Sequence, residues 1–277
     1  MIREQFNLAN RVALVVGGRG YLGGRFCSAL AEFGARVFAA DLPISTEAAT
    51  YDEQDASSVR LEQRDVDVGN KASVEALVNS VVAETSGIDI LVYSVTAKPK
   101  DFYKPFVECS LEGWQQILRA ELDGLFLMTQ QVGRVMETAH CGSIILLASI
   151  YGLVGNDQRI YQGANLAEVY GGAEKEHATR IYAHSGYAAA KGAVISLTRF
   201  LAAYWGELGI RVNCISPGGV AHPKENEEFV KHYSTRVPLG RKAGMDEISA
   251  AVVYLASDAS SYVTGHNLVI DGGWTAW

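Results

Sequence analysis

The sequence predicts an α/β protein built on a doubly wound parallel sheet with helices on both faces. Short, unbroken runs of apolar residues alternate along the chain with longer segments of helical periodicity. Strands that are apolar on both faces are typical of parallel sheets covered by helices, and strict alternation of strand and helix gives the doubly wound arrangement. No linker rich in Pro or Ser divides the 277 residues. We therefore expect a single domain over residues 1–277.

The first half of the chain predicts strands and helices in turn. Residues 12–16 form an apolar run, and after a glycine-rich turn residues 22–33 have helical periodicity until Gly34 ends the helix. The elements that follow are a strand over residues 36–40, a strand closed by Asp65 and Val66, a helix over residues 74–84 and a strand over residues 88–92.

The second half continues in the same order, with two interruptions. It predicts a long helix over residues 111–136, a strand over 143–147, a helix over 187–208, a strand over 211–215, a helix over 246–255 and a strand over 267–270. Residues 151–184, with five glycines and four tyrosines, and residues 218–243, rich in Pro, Lys and Glu, have no sustained period. Long irregular segments inside a compact domain usually serve function.

The charge and the apolar pattern exclude several classes of partner. The net charge is -7 and no block of Lys and Arg is present, so neither nucleic acid nor an anionic membrane is an expected partner. The apolar runs are too short to span a bilayer, and the N-terminus lacks the apolar segment of a secretory signal. We therefore expect a cytoplasmic protein.

Cysteine and histidine spacing predicts no metal site and no disulfide. His177 and His184 lie near Glu174 and Glu176, but their spacing fits no metal template. The cysteines are scattered without a CxxC spacing, which indicates reduced, mostly buried thiols. The four are Cys27, Cys109, Cys141 and Cys214.

A glycine-rich turn separates the first strand from the first helix. Gly17, Gly20 and Gly23 remove side chains where a pyrophosphate must approach the backbone. The N-terminus of the following helix offers free N–H groups and the positive end of the helix dipole. We therefore expect this turn to bind a dinucleotide, together with the residues between its glycines. These are Arg19, Tyr21 and Leu22.

Asp41 ends the second predicted strand, 18 residues after Gly23. It is placed to accept hydrogen bonds from the adenosine ribose, and its charge repels a 2′-phosphate, so NAD(H) is favoured over NADP(H). Arg19 argues the other way because a guanidinium suits a phosphate, unless it covers the adenine or is only solvated. Asp65 and Val66 are placed for an adenine contact.

Tyr187 and Lys191 lie four residues apart on one face of a predicted helix. A free phenol has a pKa of about 10. A nearby ammonium lowers that pKa, which makes a tyrosine usable as an acid or base near neutrality. Ser149 ends a preceding predicted strand, and the dinucleotide turn lies upstream. The pair therefore indicates a catalytic site.

With these motifs the sequence resembles the short-chain dehydrogenase/reductase superfamily in its single-domain form. The resemblance covers nearly the whole chain and implies a Rossmann fold. Beyond the glycine turn, Asp41, Ser149 and the Tyr187–Lys191 pair, it is carried by Asp65-Val66, residues 89–92, Gly142-Ser143, Asn213, Pro217-Gly218, Val263-Thr264-Gly265 and Asp271-Gly272-Gly273-Trp274.

The resemblance implies a role for each catalytic residue. Tyr187 is implied to be the acid/base and Ser149 to hydrogen-bond the substrate oxygen. Lys191 is implied to lower the pKa of Tyr187 and to hold the nicotinamide ribose. The residues implied to face the nicotinamide are Pro217, Gly218 and the backbone of Val220.

The resemblance also implies a lid and an assembly. Residues 218–243 are implied to form a flexible substrate lid. Two helices with apolar stripes are implied to build the dimer interface of a homodimer or homotetramer. The stripes are Leu122, Leu125 and Phe126 on one helix and Val194, Leu197 and Leu201 on the other.

Several positions depart from the family pattern. The glycine spacing is closer to that of the extended sugar-nucleotide members, and Tyr93-Ser94-Val95-Thr96 replaces the family's NNAG, with Ser94 kept as a candidate cofactor contact. His222 stands in place of a Thr. Glu121 replaces the catalytic Asn, and we expect it to lie near Lys191 and stabilise the ammonium. The alternative is that Glu121 turns away and pairs with a surface cation.

Ser149 and Tyr187 lie 38 residues apart, far more than the family spacing. Residues 151–184 are therefore an insertion beside the active site. Its four tyrosines either stack against a sugar or pin the segment to the domain in a small core. Residues 159–163 and 216–220, with the glycine turn, resemble a subgroup linked to flagellin modification and surface-polysaccharide sugar biosynthesis.

These features predict an NAD(H)-dependent oxidoreductase that interconverts a secondary alcohol and a ketone. The expected small-molecule substrate is a sugar, a polyol or a sugar derivative. Two alternatives stay open. The glycine spacing suits a sugar epimerase or dehydratase with tightly bound NAD. Glu121 and the altered NNAG segment suit a non-catalytic NAD-binding regulator.

Overall fold

The computed structural model describes residues 1–43, 61–172 and 181–277. Within these ranges seven strands form one parallel sheet. The strands are β1 (Val12–Val16), β2 (Arg36–Asp41), β3 (Glu62–Asp65), β4 (Ile90–Tyr93), β5 (Gly142–Leu147), β6 (Ile210–Pro217) and β7 (Asn267–Ile270). Their order in the sheet is β3-β2-β1-β4-β5-β6-β7.

Helices connect the strands. They are α1 (Tyr21–Glu32), α2 (Lys71–Thr85), α3 (Leu111–Leu118), α4 (Gly124–Ala139), α5 (Leu166–Tyr170), α6 (Ser185–Trp205), α7 (Glu227–Ser234) and α8 (Met245–Ala256). Side chains fix several of the helix starts. Asn70 accepts the N–H groups of Ala72 and Ser73 at the start of α2, and Ser110 accepts that of Gly113 at the start of α3.

Successive residues of the central strands enter two different cores. Leu14 and Leu91 pack with α2, α4 and α6 on one face, whereas Val15 and Ile90 pack with α1 and α8 on the other. Because side chains alternate between the faces of a strand, a sheet covered on both sides needs apolar residues throughout. The predicted doubly wound parallel sheet is confirmed.

A third core lies over the carboxyl edge of the sheet. It joins the insertion, residues 218–243 and the C-terminal segment, and its buried members include Ile160, Tyr161, Phe229, Tyr233 and Trp274. The Tyr233 and Trp274 rings stack at 4.7 Å between centroids. Residues 218–243 are therefore not wholly irregular, since α7 forms within them and packs on the insertion.

Most observed element boundaries differ from the predicted ones by one to three residues, and the long central helix differs more. Residues 111–136 were expected to form one helix, but a π-helical turn, Arg119–Asp123, separates α3 from α4. The fourth strand begins two residues later than expected. Asp89 precedes it, and its Oδ2 accepts the N–H of Val12 at 2.8 Å, so this side chain ties the start of β1 to that of β4.

Within the described ranges, no helix is long and apolar enough to cross a bilayer. The same ranges contain no group of three metal-ligating side chains. His177, Glu174 and Glu176 lie outside the described residues. All four cysteines are free: Cys27 and Cys214 are buried, Cys109 is partly buried and Cys141 is exposed.

Candidate active site

The glycine turn is too tight for side chains. Gly17 has φ +82°, and a Cβ built on Gly23 would lie 2.0 Å from the Gly17 carbonyl oxygen. Gly20 caps α1 and has no side chain that could accept the first N–H groups of this helix. Free N–H groups at a helix start attract anions. The turn therefore fits the pyrophosphate of a dinucleotide.

Asp41 and Arg19 hold the turn against the end of β2. Asp41 Oδ2 accepts the Arg19 N–H at 3.0 Å, and Oδ1 accepts the Leu42 N–H at 2.8 Å. The Arg19 guanidinium donates to the Leu42 carbonyl at 2.7 Å and to Gln63 Oε1 at 3.0 Å. It also bonds Asp65 Oδ1 at 2.8 Å. Asp65, predicted to contact the adenine, therefore also restrains Arg19.

The other predicted cofactor contacts lie at the same edge. The Val66 N–H donates to the Asp41 carbonyl at 2.7 Å, and the Ser94 N–H donates to the Val16 carbonyl at 2.8 Å. A Cβ built on Gly17 would lie 2.6 Å from the Ser94 carbonyl oxygen. Close packing of Ser94 is thus a further reason for glycine at position 17.

The nicotinamide side is built from the end of β6. The Gly218 N–H donates to the Ile270 carbonyl at 2.8 Å, which extends the pairing beyond Pro217. Val220 pairs with Ala243, so the two ends of residues 218–243 meet there. Tyr21, the first residue of α1, donates from its hydroxyl to the Ala221 carbonyl at 2.7 Å. The dinucleotide turn and the start of the predicted lid are thus in contact.

Ser149 and Tyr187 come together above the carboxyl end of β5. Ser149 is buried, and its Oγ accepts the Tyr151 N–H at 3.2 Å at the start of a short 3₁₀ turn. Tyr187 lies in the first turn of α6. Burial raises the pKa of Tyr187 most strongly, while the Lys191 ammonium and a hydrogen bond to Ser149 lower it. The Glu121 carboxylate raises it further.

Lys191 is buried among three acceptors of different kinds. Its Nζ donates to the Leu147 carbonyl at 2.9 Å and lies 3.1 Å from Glu121 Oε2 and 5.3 Å from the centre of the Tyr187 ring. Burial opposes the charge of Lys191, yet Glu121 and Tyr187 outweigh it and raise the pKa of this lysine. Lys191 is therefore held as an ammonium beside the phenol.

Glu121 lies in the π-helical turn between α3 and α4. Its carboxylate turns inward, toward Lys191 rather than toward a surface cation. Its Oε1 accepts a hydrogen bond from Thr96 Oγ1 at 2.9 Å. Burial raises the pKa of Glu121, and this effect exceeds the opposing influence of Lys191 and Thr96. π-helical turns are frequent at functional sites.

The sequence reasoning missed the residues that shape this turn. The Gly124 N–H donates to the Arg119 carbonyl, five residues back, and the Tyr93 hydroxyl donates to the Ala120 carbonyl at 2.5 Å. A Cβ on Gly124 would lie 2.6 Å from the Tyr93 hydroxyl oxygen. The signal available in the sequence was that the NNAG segment, which begins with Tyr93 here, and the catalytic Asn, replaced by Glu121, both depart from the family pattern.

The insertion and residues 218–243 are joined directly. Asn165 donates from Nδ2 to the Lys224 carbonyl at 2.8 Å and accepts the Asn226 N–H at 2.9 Å. Asn226 in turn donates from Nδ2 to the Gly163 carbonyl at 2.7 Å. Tyr161 packs with α7 in the third core. This position agrees with the alternative in which the insertion tyrosines pin the segment to the domain. Tyr151 lies closer to the reaction centre, where its hydroxyl accepts from that of Tyr161 at 2.9 Å.

Comparison with known proteins shows the family. Residues 11–165 match the family described as short chain dehydrogenase, and residues 172–275 match the family described as Enoyl-(Acyl carrier protein) reductase. D-threitol dehydrogenase from Mycolicibacterium smegmatis is 36% identical over 274 residues, covering 98% of this chain and 95% of the relative. Galactitol 2-dehydrogenase (L-tagatose-forming) from Cereibacter sphaeroides is 32% identical over 283 residues, covering 99% of each.

Solved structures agree with this relationship. A short chain dehydrogenase from Leptospira borgpetersenii with bound NAD+ has a TM-score of 0.81 and 29% identity, covering 98% of this chain and 95% of the other. A gluconate 5-dehydrogenase from Burkholderia cenocepacia in complex with NADP and tartrate has a TM-score of 0.79 and 28% identity, covering 99% and 98%. The chain belongs to the short-chain dehydrogenase family of nicotinamide-dependent oxidoreductases, which act on alcohol groups.

Proposed function

We propose that the chain is an NAD(H)-dependent dehydrogenase that interconverts a secondary alcohol and a ketone on a sugar, a polyol or a related sugar derivative. The observation that carries the proposal is the convergence of Ser149, Tyr187 and Lys191 beside a glycine turn that fits a dinucleotide. The relatives that act on threitol and galactitol support a polyhydroxylated substrate. The narrower resemblance to flagellin-modification enzymes stays a prediction.

The cofactor is proposed to lie along the carboxyl edge of the sheet. The residues that would hold its adenosine half are Gly17, Arg19, Gly20, Tyr21, Leu22, Gly23, Asp41, Asp65, Val66 and Ser94, and those for its nicotinamide half are Tyr187, Lys191, Pro217, Gly218 and Val220. When bound, this group accepts or supplies the hydride. Asp41 favours NAD(H), because its charge opposes a 2′-phosphate. The donors of Arg19 are largely engaged by protein acceptors, which reduces its value to a phosphate.

Proton transfer is assigned to Tyr187. In oxidation the Tyr187 phenolate takes the proton of the substrate hydroxyl, and in reduction the phenol returns it to the ketone oxygen. Ser149 donates a hydrogen bond to that oxygen and fixes its position. An ammonium has three N–H donors, and Lys191 donates one of them to the Leu147 carbonyl while it forms an ion pair with Glu121. Donor capacity therefore remains for the cofactor ribose.

Glu121 and Thr96 are proposed to connect Lys191 with solvent. Lys191 Nζ is 3.1 Å from Glu121, Glu121 accepts from Thr96 at 2.9 Å, and Thr96 is exposed. Groups whose heavy atoms lie within about 3.2 Å of each other are in reach of proton transfer. This path would restore the protonation state of Tyr187 after each turnover.

The substrate pocket is proposed to lie between the insertion and residues 218–243. The insertion leaves the sheet after Ser149 and returns just before Tyr187, so its base lies beside the reacting carbon. The contacts of Asn165 with Lys224 and Asn226 support one continuous cover over the site. Such covers exclude water from the reaction.

The protein is proposed to be a cytoplasmic homodimer or homotetramer that pairs through α4 and α6. Of the predicted stripes, Leu125, Val194 and Leu201 are buried in this chain's own core. The large hydrophobic side chains that remain exposed on these helices are Phe126, Phe200 and Tyr204. Phe200 and Tyr204 stack at 6.2 Å, and apolar patches of this kind mark association surfaces.

The test of the function is a substrate panel with both cofactors. Purified protein is incubated with polyols, sugars, sugar phosphates and hydroxy acids, each with NAD+ or NADP+, and reduced cofactor is followed by absorbance. The proposal expects substrate-dependent NADH formation that Tyr187→Phe removes. Product formation without net NADH would instead identify an epimerase or dehydratase. Cofactor binding with no conversion of any substrate would identify a regulator.

A further inference from the structure

Three lysines lie within or beside the reaction centre, and they differ in their partners. Lys191 is paired with Glu121, and Lys242 is paired with Glu225, both in buried surroundings. Lys98 is partly buried, and no carboxylate of the described residues lies within ion-pair distance of its Nζ. A buried charge is costly unless an opposite charge accompanies it. Lys98 is therefore the cation of this region whose counter-charge the described residues do not supply.

The position of Lys98 is next to the catalytic residues. It follows Thr96 by two residues, and Thr96 donates to Glu121. The Tyr170 ring, which lies 4.3 Å from Lys98 Nζ, packs edge-on against His222 with 5.2 Å between the ring centres. Glu121 belongs to the Lys191 ion pair, whereas His222 follows β6 at the start of the lid segment. Lys98 thus lies between the reaction centre and the lid.

The insertion holds the Lys98 side chain in place. Its Nζ lies 4.3 Å from the centre of the Tyr170 ring, and it donates to the Tyr170 carbonyl at 3.4 Å. A Cβ built on Gly172 would lie 3.0 Å from Lys98 Cβ, so the insertion also packs against the base of this side chain. An aromatic face and one long carbonyl contact orient an ammonium, but they do not neutralise it.

The surroundings of the Lys98 side chain lower its proton affinity. Burial lowers the pKa of Lys98 to about 8, and the negative charge of Glu121 opposes this effect only in part. Tyr170 is the group in direct contact, and its own hydroxyl donates to Glu225 at 3.1 Å. Glu225 is in turn occupied by Lys242. The carboxylates of Glu121 and Glu225 are thus committed to other lysines.

We propose that Lys98 is an anion subsite of the substrate pocket and that the substrate carries a carboxylate or a phosphate remote from the reacting alcohol. The inference rests on the proposed dehydrogenase function and narrows its substrate from neutral polyols to sugar acids or sugar phosphates. An ammonium that is already dehydrated and oriented gains most from a fully charged partner. The reacting hydroxyl would be held by Ser149 and Tyr187 while Lys98 holds the acidic end.

The test compares substrates of one carbon skeleton that differ in charge. The values of kcat/KM with NAD+ are measured for D-glucitol, D-gluconate and 6-phospho-D-gluconate, and for the matching sets of four- and five-carbon compounds. They are measured for the wild type, Lys98→Met and Lys98→Arg. Lys104→Met, which removes an exposed lysine six residues away, is the control. The NAD+ dissociation constant is measured for each protein by fluorescence titration.

The expected result is that the wild type prefers an acidic member of its best skeleton over the neutral one. Lys98→Met should lower the ratio of acidic to neutral kcat/KM by roughly 10- to 100-fold, the scale of a lost hydrogen bond to a charged group. Lys98→Arg should retain part of the ratio, and Lys104→Met should leave it unchanged. The acid that responds most, carboxylate or phosphate, identifies the group that is bound.

Two results overturn the inference. One is a ratio that Lys98→Met does not alter in an active enzyme, which leaves the dehydrogenase function intact. The other is an increase in the NAD+ dissociation constant of Lys98→Met that accounts for its whole loss of kcat/KM. That result would assign Lys98 to a cofactor phosphate. A wild type that converts none of the compounds counts against the proposed function instead. In that case the thermal stabilisation of the NAD-loaded protein by gluconate and by glucitol, with and without Lys98→Met, still decides whether the subsite exists.

Discussion

Glu121 Oε2 lies 3.1 Å from Lys191 Nζ, and both side chains are almost wholly removed from solvent. The ammonium that polarises Tyr187 is therefore itself partly neutralised by a carboxylate. Glu121 raises the pKa of Tyr187, whereas Lys191 lowers it. The pH at which the enzyme works thus depends on the balance between these two charges.

Removing the Glu121 charge should move the pH–rate profile of alcohol oxidation toward neutrality. Oxidation needs the Tyr187 phenolate, so a raised pKa of Tyr187 places the rising limb of the wild-type profile at alkaline pH. Glu121→Asn should shift this limb downward by about one pH unit, and Glu121→Gln should do so in part. The measurement is kcat/KM against pH with saturating NAD+.

The control for Glu121 is Glu112→Gln, which removes an exposed carboxylate from the same helical run. It should leave the profile in place. If wild type, Glu121→Asn and Glu121→Gln share one profile, Glu121 has no part in setting the acidity of Tyr187.

NAD(H) should bind more tightly than NADP(H). Asp41 lies beside the turn with both oxygens fixed by backbone N–H groups, so a 2′-phosphate would meet a carboxylate that cannot move away. Asp41→Asn removes the charge but keeps a hydrogen-bond acceptor. It should weaken NADH binding and improve NADPH binding, and so reduce the preference for NAD(H) over NADP(H). Fluorescence titration of both proteins with both cofactors measures this. Equal or tighter binding of NADPH by the wild type would show that Arg19 outweighs Asp41.

The preference for acidic substrates that Lys98 provides should weaken above pH 8. Burial lowers the pKa of Lys98 to about 8, so its charge is present below that pH and is lost as the pH rises through it. The ratio of kcat/KM for an acidic substrate to that for the neutral polyol should therefore fall on the alkaline side. Taking the ratio cancels the titration of Tyr187, which affects both substrates. A ratio that stays constant across pH 8 contradicts a titrating Lys98.

The Glu225–Lys242 pair should stabilise the cover of the site. Both side chains are buried, and they join the beginning and the end of residues 218–243. Lys242→Met leaves a buried carboxylate without its cation and should cost about 3–5 kcal/mol of unfolding free energy in urea. The double variant Lys242→Met/Glu225→Gln should recover part of this loss. As the control, Arg241→Met breaks an exposed ion pair at the neighbouring position and should change stability little. An equal loss of stability in Lys242→Met and Arg241→Met would contradict the prediction.

Much of the sheet could be predicted from the sequence because its central strands are apolar on both faces. Val12–Val16, in the middle of the sheet, has the predicted bounds, and so has Asn267–Ile270 at one edge. The edge strand Glu62–Asp65 has no apolar run, since its charged side chains lie at the exposed margin of the sheet. Only the end of this strand could be predicted, from the Asp65-Val66 motif.

The site could be predicted where a sequence motif falls at a strand end or on one face of a helix, as it does for Ser149, Tyr187 and Lys191. The π-helical turn was not, because one extra residue in a turn leaves the helical pattern of residues 111–136 almost unchanged. Its cause is the contact of Tyr93 with the Ala120 carbonyl, which joins residues distant in sequence. Lys98 carries no local signal either, since its significance comes from the partners of Lys191 and Lys242.

The most direct test of the central claim is the turnover of Tyr187→Phe on the best substrate, with NAD+ binding measured on the same preparation. The phenylalanine keeps the ring against Phe102 and Lys191 but removes the hydroxyl that transfers the proton. We expect kcat to fall by a factor on the order of 10² to 10⁴ while the NAD+ dissociation constant changes little. Turnover close to that of the wild type, with NAD+ bound normally, would contradict the assignment of Tyr187 as the acid and base of this enzyme.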